Sequence, residues 1–134
     1  MAVKRNRSHG SVVLLAVILA CCTYDPIKPA NEDKARAAQF QIQAFCEALR
    51  KFRSDTGRFP TVKEGLNALV SNPGLSSWRG PYLASAVPND PWGHSYEYRH
   101  PGLHGEGPDI TSFGADGMPG GEGFDADIVS SAGR

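Results

Sequence analysis

Cysteine is scarce in this chain, with three in 134 residues at positions 21, 22 and 46. They sit in such different surroundings that no disulfide framework is implied, so something else must staple the fold. Surplus charge is also absent. Fourteen Lys and Arg offset fourteen Asp and Glu, which leaves no global field to draw the protein to nucleic acid or anionic lipid. Its aromatics lack the basic stripe that nucleic-acid binding requires. No apolar run is long enough for a membrane span: Val12–Cys22 falls well short of the roughly 20 residues a transmembrane helix needs. No Cys/His pair, Ser/His/Asp set or phosphate-binding glycine loop appears with supporting context, so no catalytic site is expected. The most local absence is the sharpest. Residues 105–133 contain no Lys or Arg, yet hold Glu106, Asp109, Asp116, Glu122, Asp125 and Asp127. Such a segment repels itself unless a cation or distant basic groups relieve it.

The amino terminus has Lys4, Arg5 and Arg7 ahead of the short apolar run, the proportions of an export signal. The run closes on "ILAC", which resembles the lipobox of bacterial lipoproteins. In that pattern Ala20 is the small residue at the cut and Cys21 the lipid acceptor, giving a signal peptide over residues 1–20. A plain signal peptide with incidental cysteines is the alternative, and either reading exports the body. "TYDPIKPANED", Thr23–Asp33, has two prolines and no periodicity, and reads as part of an extended tether over residues 21–33.

From Lys34 the pattern turns helical, opening a single domain over residues 34–134. Ala38, Ile42, Phe45, Leu49 and Phe52 form one apolar stripe, predicting a helix from about Glu32 to Ser54 that stops before Gly57. Cys46 lies within it as a small apolar residue. Thr61 and Glu64 have capping-box spacing ahead of Leu66, Leu69 and Val70, predicting a short second helix. Short β-type runs follow at Tyr82–Leu83, His94–His100 and Asp109–Phe113, the last two joined by the hairpin-like "PGLHGEGP". The order implies an α+β fold with the long helix across a small antiparallel sheet. His100 and His104 lie four apart, but Pro101 and Gly102 break any helix between them. Surface or turn roles are therefore expected for His94, His100 and His104, rather than zinc.

"GRFPT", "DPWGHSYEY", "PGLHGE" and "SFGADGMPGGEG" followed by "ADI" stand in this order along the chain. Together they resemble the periplasmic domain of the major pseudopilin, the G subunit, of type II secretion systems, over about Ala35 to Ile128. The resemblance implies a pilin-like fold with a C-terminal loop ordered by calcium. It also implies a non-catalytic role, in which subunits polymerise into a short filament that helps drive exoproteins through the outer membrane. Partners would then be other pseudopilins or secretion-apparatus subunits, including further copies of this chain.

Carried over from that family, side-chain oxygens of Asp116 and of Asp125 or Asp127, with the backbone carbonyls of Phe113 and Met118, would hold the ion. The chemistry is suitable: calcium takes six to eight oxygen ligands in a flexible geometry, and glycines let carbonyls turn inward. The D-x-D-x-D-G spacing of an EF-hand is absent. A flexible acidic surface loop is the competing expectation.

The amino terminus departs from the family. Gly10 aligns with the prepilin cleavage glycine, but Leu15 then stands where a glutamate belongs, and the apolar run ends in cysteines and prolines. The implied protein is a pseudopilin-like domain held to a membrane, facing the periplasm, by lipid on Cys21. The alternative is a lipid-anchored, calcium-dependent protein-binding module unrelated to secretion.

Overall fold

The structure, a computed structural model, describes residues 27–130. The export signal and Cys21 lie outside the described residues. Helix α1 runs Ile27–Thr56, beginning five residues before the expected Glu32 and taking in much of the segment read as tether. Pro29 does not prevent this. In a first helical turn the proline's missing N–H would have had no partner anyway. The apolar stripe is buried as the spacing predicts: Ala38, Ile42, Phe45, Leu49 and Phe52 all face the core. Gly57, at φ 81°, ends the helix by donating its N–H to the Arg53 carbonyl at 2.8 Å. That is the left-handed glycine cap, in which the first residue past the helix bonds back to the last turn.

The capping box forms in both directions. The Thr61 N–H donates to Glu64 Oε2 at 2.8 Å, and the Glu64 N–H donates to Thr61 Oγ1 at 3.2 Å. Arg58 forks onto both Glu64 oxygens at 2.8 Å and holds that carboxyl down at about 2. The expected second helix is nonetheless a 3-10 helix, Leu66–Leu69. Gly65, at φ 58° and ψ −161°, separates the box from the apolar residues and stops an α-helix from propagating. Leu66, Ala68 and Leu69 still reach the core.

Tyr82–Leu83 is not a strand. Both amides converge on the Leu69 carbonyl, at 2.7 and 3.3 Å, whereas a strand would alternate donors and acceptors along a partner. Tyr82 instead packs edge-on against Phe52 and Trp78, and its hydroxyl donates to Asp55 Oδ2 at 2.8 Å.

Three strands, β1 Glu97–Arg99, β2 Asp109–Ser112 and β3 Ile128–Val129, form an antiparallel sheet in the order β1-β2-β3. Tyr98 lies opposite Ile110, and Thr111 opposite Val129. "PGLHGEGP" is the β1–β2 connection, as expected. All four residues of β2 are buried, because it is the central strand with neighbours on both edges. The core joins the α1 stripe to Leu66, Leu69, Tyr98 and Ile110. The Tyr98 hydroxyl donates to the Pro60 carbonyl at 2.8 Å, and its burial raises the phenol pKa. The result is a long helix packed on a small antiparallel sheet.

Candidate functional site

Between β2 and β3 the chain makes one excursion, residues 113–127, containing every residue expected to meet an ion. Glycines set its path. Gly114, Gly117, Gly120, Gly121 and Gly123 all have positive φ, a region L side chains rarely adopt. At two of them crowding excludes a side chain as well. A Cβ on Gly114 would fall 2.7 Å from the Phe124 carbonyl oxygen and 2.9 Å from that of Ala126. One on Gly121 would fall 2.4 Å from the Asp125 carbonyl oxygen. The loop thus folds back until the carbonyls of Phe124, Asp125 and Ala126 press on Gly114 and Gly121. The Ala115 N–H closes the return by donating to the Phe124 carbonyl at 2.8 Å.

Phe113 is half-buried and leads from β2 into the loop. Asp116 is exposed, and its Oδ1 accepts the Met118 N–H at 3.0 Å, bringing those two positions together. The Met118 side chain points to solvent. Asp125 is exposed in a 3-10 turn, Gly123–Asp125. Asp127 is placed differently. Its Oδ2 accepts the Gly120 N–H at 3.0 Å across the loop, while its Oδ1 is buried with no hydrogen-bond partner. A buried carboxylate oxygen without a partner is costly, and Asp109 Oδ1 is placed the same way, so at Asp127 it is the surrounding loop that leaves room for a group to complete it. Among the described residues no three Asp, Glu, His or Cys side chains gather closely enough to hold a metal. An ion here would therefore depend on backbone carbonyls beside one or two carboxylates. Calcium accepts such a donor set, so the residues present fit it.

The histidines do not converge on one another. His100 stacks at a tilt on Phe59, with centroids 5.4 Å apart, and His104 Nδ1 lies 2.9 Å from the buried Asp109. His94 had been expected only as a turn or surface residue. Its Nδ1 is 3.2 Å from the Gly114 carbonyl oxygen, which places it against the acidic loop. Asp90 behind it is buried and accepts from the Trp92 and His94 amides and from the Ser112 hydroxyl. The missed signal was local. Asp90 in "DPWGH" precedes Pro91 and Gly93, and an Asp there commonly accepts from amides two to four residues on.

A helix of this length over a three-stranded antiparallel sheet, with a glycine-rich acidic return before the last strand, defines a pilin-like α+β domain. The family model of type II secretion system (T2SS) protein G matches residues 27–131. The chain is 42% identical over 118 residues to the type II secretion system core protein G of Xanthomonas campestris pv. campestris, covering 87% of this chain and 80% of that one. It is 35% identical over 121 residues to the core protein G of Pseudomonas aeruginosa, covering 87% and 84%. Among solved structures it resembles the major pseudopilin from the type 2 secretion system of enterohaemorrhagic Escherichia coli. That match has a TM-score of 0.64 and 32% identity, over 77% of this chain and 90% of the other. The chain belongs to the type II secretion system protein G family.

Proposed function

We propose that this protein is a non-catalytic structural subunit of a type II secretion apparatus, lipid-tethered at Cys21 and facing the periplasm, with its acidic loop held by calcium. Membership of the protein G family supports the secretion role, and other subunits of such an apparatus, including copies of this chain, are the partners it implies. Among the described residues no helix is long and apolar enough to cross a membrane; the lipid anchor rests on the resemblance of "ILAC" to a lipobox. A cleft of about 540 Å³ between α1 and β3 contains Cys46, but burial raises the pKa of that thiol. That works against nucleophilic chemistry there.

The observation that carries the ion reading is the buried Oδ1 of Asp127, which has no hydrogen-bond partner while Oδ2 is held by the Gly120 N–H. Asp127 and Asp116, with carbonyls of the loop including those of Phe113 and Met118, would hold the ion. Asp125 is the weaker candidate because, unlike Asp116 and Asp127, its side chain makes no hydrogen bond within the loop. Bound calcium would supply positive charge to a segment that has none of its own. Titration calorimetry on chelator-stripped protein should show calcium binding that Asp127→Ala abolishes. Heatless titration of the unmutated protein, with no calcium-dependent change in loop hydrogen exchange, would reject the ion. Mass spectrometry of membrane-extracted protein should find an acylated chain beginning at Cys21. A chain beginning at Ser11 with a methylated amine would reject the lipid anchor.

A further inference from the structure

The geometry points to His94 as a positioning residue that clamps the acidic loop from outside, gripping both ends of the segment that carries Phe113, Asp116 and Met118. The first grip is a hydrogen bond. His94 Nδ1 lies 3.2 Å from the Gly114 carbonyl oxygen, and because a carbonyl only accepts, Nδ1 carries the hydrogen. The second grip is packing. A Cβ built on Gly117 would lie 2.8 Å from Nε2 and 2.9 Å from both Cδ2 and Cε1 of His94. A point almost equidistant from three atoms of one edge lies over the ring rather than beyond its rim, so Gly117 rests on the imidazole face. Gly117 is also the residue between Asp116 and Met118, the pair joined by the Asp116 side chain.

The imidazole is itself fixed from behind. The buried Asp90 carboxylate accepts the His94 N–H at 2.8 Å and the Trp92 N–H at 3.1 Å through Oδ1. It accepts the Ser112 hydroxyl at 2.7 Å through Oδ2. The Asp90 N–H returns to the His94 carbonyl at 2.7 Å. Ser112 ends β2, next to Phe113, so turn and loop share one anchor in the sheet. The far side of the turn reaches α1, where Trp92 Nε1 donates to Asn31 Oδ1 at 3.2 Å. A loop with few apolar contacts thereby gains a rigid wall, and preorganising donor atoms in this way raises the affinity of whatever they bind.

Two variants separate the clamp from general packing. His94→Ala removes both grips, whereas His94→Asn can place its amide nitrogen where Nδ1 stood. Hydrogen exchange in chelator does not depend on any ion. There His94→Ala should speed exchange of the Ala115, Met118 and Gly120 amides about fivefold to tenfold, the loss expected for one hydrogen bond and its packing. The Tyr98–Ile110 ladder should be unchanged, and His94→Asn should restore most of the protection. Calcium affinity by calorimetry should fall by a similar factor in His94→Ala; this arm rests on the ion reading above. Unmutated protein that binds no calcium, with selective loosening in His94→Ala, would uphold the clamp and reject the ion. Calcium binding and loop protection equal in His94→Ala and the unmutated protein would overturn the clamp. So would loosening spread equally over loop and ladder. Equal losses in His94→Asn and His94→Ala would overturn the hydrogen bond as its means.

Discussion

The helical side of the domain and its acidic loop are held by different forces. From Ala38 to Leu69 the chain supplies Ile42, Phe45, Leu49, Phe52, Leu66 and Leu69 to one core. Residues 113–127 supply no buried hydrophobic side chain among the described residues. Their shape rests on glycine conformations, on single hydrogen bonds such as Gly120 to Asp127, and on contacts from outside such as His94. Burial of apolar area is non-directional and tolerates small shifts. A loop of turned carbonyls is directional, and its carboxylates repel one another until something positive arrives. The stability of the core on the helical side should therefore not depend on calcium, whereas that of the loop should rise when a cation is present.

The largest effect should come from the core. Phe52 is fully buried, and Phe52→Ala should cost about 3–5 kcal/mol by denaturant unfolding. The loss should be the same in calcium and in chelator. A calcium-dependent cost would mean that the two regions are not separately held.

Next in size is the loop. An ion bound only by the folded state adds about 2.7 kcal/mol at 100 times its Kd. Asp127→Ala should lose about that amount more in calcium than in chelator, where it gives up only the hydrogen bond from Gly120. Asp116→Ala should behave likewise, and Asp125→Ala should lose less. Equal destabilisation in both buffers would make these carboxylates structural only.

The smallest effect belongs to the Arg58–Glu64 pair, which joins the end of α1 to the capping box. The hydrogen bonds from Arg58 hold the Glu64 carboxyl at about 2, against an ordinary 4.5. A depressed carboxylate pKa gives stability that is fully present above the unfolded value. It is lost as pH falls from about 4.5 through about 2. Because Arg58 is substantially exposed, solvent screening limits the pair to roughly 1 kcal/mol. Glu64→Gln should remove that increment at pH 7 and flatten the unfolding free energy over the acid window. An unaltered acid limb in the variant would contradict the assignment.

The same division decides how much could be read from the residues alone. The α1 stripe, the Thr61–Glu64 box and the β1–β2 hairpin were legible because each depends on spacing along a short stretch. The start of α1 was not legible because Thr23–Asp33 has two prolines and no apolar periodicity, though Pro29 sits in the first turn. Gly65 converted the second helix to 3-10 by one left-handed residue, which apolar periodicity does not register. β3 has two residues and pairs only because the loop delivers it to β2. At the candidate site, the acidic residues and glycines were conspicuous. Their inequality was not, since Asp127 alone is held across the loop, by the Gly120 N–H seven residues away, with its other oxygen buried. His94 is remoter still, 20 residues from Gly114, and no local pattern links the two.

Thermal unfolding of the unmutated protein across a calcium series tests the central claim most directly. If an ion holds the loop, Tm should stay flat below Kd, climb with the logarithm of calcium above it, and return to baseline on chelation. The same Tm in millimolar calcium and in chelator would contradict it.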